Sequence, residues 1–79
     1  SAEENTAMYC VAHPDRLSKY TLEQMSEEIG ISRRSLCYIL KRWQEQGIII
    51  RKNRCYSIAD LEALHQIARE IRSFYHYGQ

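Results

Sequence analysis

Thr21 followed three residues later by Gln24 is a capping-box pattern, and Gly30 with Ser32 closes one helix and caps the next. The chain is therefore committed to two helices joined by a tight glycine turn. In the first of them Leu22, Met25 and Ile29 share one face, while Glu23, Glu27 and Glu28 take the other. Gly30 supplies the positive φ that the turn needs, and the hydroxyl of Ser32 can satisfy the first N–H groups of the second helix. That second helix is expected over residues 33–46. It buries Leu36, Ile39, Leu40 and Trp43 in i, i+3, i+4, i+7 spacing and stops where Gly47 can turn left-handed. Arg33, Arg34, Cys37, Tyr38 and Lys41 are left facing solvent.

The rest of the chain is arranged around this pair. Glu3 to His13 reads as a first helix, with apolar Ala7, Met8, Cys10, Val11 and Ala12, and it ends at Pro14-Asp15. Arg16 to Tyr20 reads as a short connection. Ile48-Ile49-Ile50 and Cys55-Tyr56-Ser57-Ile58 are β-prone runs joined by Arg51-Lys52-Asn53-Arg54, with Asn53 as the turn residue, which gives a small hairpin with a basic tip over residues 48–58. Asp60 opens a last helix running to about His76. Its stripe is Leu61, Leu64, Ala68, Ile71 and Tyr75. The expected fold class is mostly α with a small β-hairpin, as one domain spanning residues 1–79.

Seventy-nine residues, 44% hydrophobic and 27% charged with 3 Gly and 1 Pro, suit a single compact domain and leave no room for a second, enzyme-sized one. No apolar run is long enough to span a bilayer and the first residues do not resemble a signal peptide, so the expected compartment is the cytoplasm. The net charge is +1. Between Ser32 and Arg54, however, seven bases face the single acid Glu45, a local +6 that the acidic flanks balance with −5. A basic centre of this kind suits a polyanion. Charge by itself is equally compatible with a solvated helix face.

Cys10, Cys37 and Cys55 have no paired spacing and read as reduced thiols used for packing. Cys37, among bases, has a second reading as a redox-sensitive thiol. Cys10 and His13 could supply two metal ligands on one helix, but a zinc site needs three or four, so no metal site is assigned. His65 and His76 read as surface residues, and Phe74, Tyr75 and Tyr77 as aromatics folded back on the first helix, with a dimer patch as the alternative. No Gly-rich phosphate loop, nucleophile–base pair or metal set points to an enzyme.

A helix exposing bases at its start, behind a helix and a tight turn, is what reading the DNA major groove requires. Arginine there can donate two parallel hydrogen bonds to guanine, and hydroxyls and backbone amides can hold phosphates. At Thr21-Leu22-Glu23-Gln24-Met25-Ser26-Glu27-Glu28-Ile29-Gly30-Ile31-Ser32-Arg33-Arg34-Ser35-Leu36, and on through Leu40 to Ile49, the sequence resembles the C-terminal winged helix-turn-helix domain of the cyclic-AMP-receptor/Fnr (Crp/Fnr) superfamily of bacterial transcription regulators. The resemblance spans roughly Tyr20 to Ile58. It implies a helix-turn-helix at 21–46 and a wing at 48–58, to which the apolar spacing adds the C-terminal helix at 60–76.

By position, the resemblance makes Arg33, Arg34 and Tyr38 base readers and Thr21, Ser32, Ser35 and Lys41 phosphate contacts, while the order helix, helix, strand, strand by itself places Lys52 and Arg54 of the wing where they can hold neighbouring phosphates. Family members that read a guanine-rich half-site carry arginine, glutamate and arginine at the three reader positions. Arg34 and Tyr38 depart from that pattern, so the operator should differ: the glutamate acceptor for cytosine is gone, and Tyr38 suits a thymine methyl or a phosphate. The implied partners are a double-stranded DNA operator, a second copy held mainly by N-terminal parts of a longer regulator, and RNA polymerase. No cofactor is expected in this domain, since the effector would bind an absent sensor. The alternative is a winged-helix protein-interaction module without DNA binding, which should show apolar or acidic residues where this chain is basic.

Overall fold

The computed structural model describes the backbone of residues 1–77 and the side chains of residues 1–69. Among the described residues, five helices and two strands follow in the order α1 (Ala2–Ala12), α2 (Arg16–Lys19), α3 (Leu22–Ile29), α4 (Arg33–Glu45), β1 (Ile49–Lys52), β2 (Cys55–Ile58) and α5 (Leu61–Tyr77). The fold is mostly α with one antiparallel hairpin, a winged helix-turn-helix.

Each helix end has a visible cause. Thr21 Oγ1 accepts the Gln24 N–H at 3.1 Å and Gln24 Oε1 accepts the Thr21 N–H at 2.9 Å, so the expected capping box opens α3. At its other end Gly30 sits at φ 85°, and the N–H groups of Gly30 and Ile31 both donate to the Ser26 carbonyl. Ser32 caps α4 through the Ser35 N–H at 3.0 Å. Gly47, at φ 76°, ends it and lets the Ile48 N–H donate back to the Trp43 carbonyl at 2.8 Å. Asp60 caps α5 by accepting the Ala63 N–H at 3.1 Å.

The core is a single cluster that joins every layer: Ala7 and Cys10 of α1, Leu17 of α2, Met25 of α3, Leu36, Leu40 and Trp43 of α4, Ile49 of β1, and Leu64 and Ala68 of α5. Burying an aliphatic side chain of this kind contributes about 1.5–3 kcal/mol. The buried positions of α1 are small (Thr6, Ala7, Cys10), which lets α1 lie close along α5. Thr6 keeps its hydroxyl satisfied by donating to the Ala2 carbonyl at 2.7 Å.

Several expectations are corrected. Arg16–Lys19 is a turn of helix rather than plain connection; neither Gly nor Pro interrupts it, and Leu17 pins it to the core beside β2. The strands begin at Ile49 rather than Ile48, and Arg51 and Lys52 belong to β1, so the turn shrinks to Asn53-Arg54. Both residues take positive φ, 53° and 66°, as a two-residue hairpin loop of the primed type requires. Ile48 instead uses its carbonyl to accept the N–H groups of Ala59 and Asp60, which ties the wing base to the start of α5. α4 ends at Glu45 with Gln46 as its cap.

Leu61 is exposed, and the buried stripe starts at Leu64. On α1, Met8 and Ala12 are exposed and, with Val11, line a cleft shared with His65, Ala68 and Arg69, where His65 is half-buried rather than at the open surface. Of the three thiols only Cys10 packs in the core; Cys37 and Cys55 are exposed. The side chains of Ile71, Phe74, Tyr75, His76 and Tyr77 lie outside the described residues.

Candidate nucleic-acid interface

The helical repeat of α4 sorts its outward side chains into three rows. Leu36, Ile39, Leu40 and Trp43 are buried, so the middle of the opposite face, up to the last turn where Glu45 joins it at i+11, is Arg34, Tyr38 and Lys41, at i, i+4 and i+7. Arg33 and Cys37 follow one edge of that face, and Ser35 and Arg42 the other. All eight are exposed. Tyr38 is 65% accessible, a large value for an aromatic ring, and the Arg42 guanidinium lies 6.0 Å from its centroid.

Arg34, Ser35, Tyr38, Ile39 and Arg42 line one side of a cleft of about 540 Å³, whose other wall is Ser1, Ala2 and Glu3 at the start of α1. Two of the three residues expected to read bases, Arg34 and Tyr38, thus share a surface depression, whereas Arg33 stands outside it. Arg42 was not among the residues singled out from the sequence. Its position four residues after Tyr38 was the available signal.

Capping already occupies part of two expected phosphate contacts. Ser32 Oγ accepts the Ser35 N–H and donates its own proton to Ser35 Oγ at 2.9 Å. The proton left for an incoming anion is that of the Ser35 hydroxyl. Thr21 Oγ1 likewise accepts from Gln24 N and retains its hydroxyl proton for donation. Because α4 begins at Arg33 and the Ser32 cap takes the N–H groups of Ser35 and Leu36, those of Arg33 and Arg34 are the ones left for a ligand at that end.

On the wing, residues alternate between faces. Ile49, Arg51, Tyr56 and Ile58 share the inner face, where the Arg51 guanidinium stacks 5.4 Å from the Tyr56 ring centroid. Ile50, Lys52, Cys55 and Ser57 share the outer face and are exposed. Lys52, Asn53 and Arg54 stand exposed at the tip.

Behind the interface, Arg16 donates to Glu28 at 2.7 Å and Tyr9 donates to the same carboxylate oxygen at 2.6 Å, with the guanidinium 5.5 Å from the Tyr9 ring and 5.0 Å from the Tyr20 ring. Desolvation first, and then the Glu28 carboxylate, push the Tyr9 hydroxyl above its ordinary pKa. This network ties α1, α2 and α3 together and engages one of the α3 acids. Among the described residues, no group of three or more His, Cys, Asp or Glu is placed to hold a metal ion, and no helix is long and apolar enough to cross a membrane.

No curated protein and no solved structure matches the chain. The model of the Crp-like helix-turn-helix domain does match it, over residues 7–67, from within α1 to within α5. Capped helices, glycine turn, basic exposed helix and hairpin wing all fall inside that match, and the chain belongs to the Crp-like helix-turn-helix family of DNA-binding domains of transcription regulators.

Proposed function

We propose that this domain binds a specific double-stranded DNA operator, with α4 in the major groove and the wing against the sugar-phosphate backbone. The observation that carries the reading is a coincidence of charge and exposure. Seven of the chain's eleven Lys and Arg fall between Ser32 and Arg54, and those on α4 and at the wing tip are exposed. In this reading Arg33, Arg34 and Tyr38 meet base edges. Thr21, Ser32, Ser35 and Lys41 hold phosphates around α4, and Lys52 and Arg54 do so from the wing.

Ser32 acts chiefly through the backbone it caps, since its hydroxyl is engaged with Ser35. Arg42, beside Tyr38, adds a further phosphate contact. In a longer, dimeric bacterial regulator two copies would meet half-sites about one helical turn apart, ~34–36 Å centre to centre. The effector and the principal dimer contacts then belong to other parts of that regulator, and a single copy binds weakly.

The test is selection from random duplex DNA by the chain joined to an artificial dimeriser, at two salt concentrations. Recovery of a palindromic motif, with affinity falling as salt rises, is the expected result. A folded sample that enriches no motif at either salt overturns the reading in favour of a protein-interaction module.

A further inference from the structure

The wing closes through Asn53 and Arg54 alone, with Lys52 paired to Cys55 beneath them. Both turn residues have positive φ. Asn suits the first position of such a turn, but the second is glycine's place, because a Cβ in left-handed backbone crowds the neighbouring carbonyl. Arg54 therefore holds the one hairpin position where an arginine is least favoured by its own backbone, and its side chain is exposed. A simple phosphate clamp does not call for that placement: Lys52 already offers a cation from ordinary strand geometry, and Arg51 is committed to the Tyr56 ring. Retained strain at an exposed site points to a contact that needs this side chain.

We propose that Arg54 reads the minor groove beside the operator half-site, favouring A·T-rich flanks. The inference rests on α4 lying in the major groove as described above, and it replaces the phosphate contact given there to Arg54 with a base contact, leaving Lys52 as the wing's phosphate contact. A two-residue turn keeps the tip only two strands wide, about 4.8 Å between backbones. Only a side chain has to enter a groove about 6 Å across. A·T-rich segments narrow that groove and deepen its negative potential, and guanine's amino group obstructs it in G·C pairs. Guanidinium, less strongly hydrated than ammonium, loses less than lysine would on entering.

The experiment titrates the dimerised chain against duplexes that carry its selected motif flanked by A·T, G·C or inosine·cytosine pairs. Inosine removes only the minor-groove amino group, so the major-groove surface stays that of guanine. The expected result is that A·T and inosine·cytosine flanks bind about tenfold more tightly than G·C flanks, the discrimination that one base-edge contact supplies. Arg54→Lys should bind all three alike. Arg54→Gly should bind all three alike and more weakly while melting at a higher temperature. Motif binding indifferent to the flanks, or a flank preference that survives Arg54→Lys, overturns the Arg54 assignment and leaves the α4 reading standing. Absence of binding to every duplex overturns both.

Discussion

The indole N–H of Trp43 donates to Glu3 Oε2 at 2.9 Å, joining the last turns of α4 to the first turn of α1 across forty residues of sequence. Trp43 is fully buried, so without this carboxylate its N–H would lose both water and partner. The bond also sets one wall of the cleft into which Arg34 and Tyr38 open. Glu3→Ala should cost about 1–3 kcal/mol, the desolvation penalty of an orphaned donor. Urea unfolding followed by Trp43 fluorescence measures it, and Glu3→Gln, which retains an acceptor, should recover most of the loss.

Arg33→Ala should relax preference at one base pair and cost ~1–3 kcal/mol of specific binding, whereas Lys52→Ala should weaken every sequence alike and lower the salt dependence by about one contact. Competition binding on single-base operator variants at several salt concentrations separates the two. Equal effects of both substitutions on all sequences would remove the distinction between readers and clamps.

Gly30→Ala should destabilise the domain by about 1–2 kcal/mol through backbone alone. A Cβ at Gly30 meets nothing within 4 Å, so the cost is the left-handed conformation, φ 85°, and not a clash. Gly30→Asn should be milder, since Asn tolerates that region. Thermal melting of the two variants decides this, and a loss with Asn as large as that with Ala would point to an unseen steric demand.

The three thiols should separate cleanly on labelling at neutral pH. Cys37 and Cys55 are exposed and should react with iodoacetamide in the native protein, while Cys10, 1% accessible, should react only after unfolding. Mass spectrometry with and without denaturant counts them.

Burial pushes the Cys10 thiol up to about 12. In the unfolded chain the same thiol ionises near its ordinary value of about 8.5. A raised folded-state pKa means that the stabilising contribution is complete below about 8.5 and is lost as pH climbs toward 12, because only the unfolded state then releases the proton. Tyr9, raised mainly by desolvation, adds a loss of the same sign. Melting temperature should therefore fall over this alkaline range, and less steeply in Cys10→Ala, although that variant starts from lower stability at neutral pH. Parallel pH profiles for the two proteins would show that Cys10 is not the linked group.

What could be read from the chain was whatever nearest neighbours decide. Caps at Thr21 and Ser32, left-handed glycines at 30 and 47, and the apolar spacing of Leu36, Ile39, Leu40 and Trp43 are local choices of backbone and one-sided burial, and the helix-turn-helix follows from them. The basic run likewise marked α4 and the wing tip as the surface of interest. Contacts between distant segments decided the remainder. The short helix at Arg16–Lys19 exists because Leu17 finds the core beside β2; which face of α1 is buried was settled by the closeness of α5; and the Glu3–Trp43 bond needs two side chains that no periodicity connects. The wing turn shifted for a related reason: pairing Lys52 with Cys55 leaves two residues to reverse the chain, and Arg54 accepts left-handed backbone to let the hairpin close.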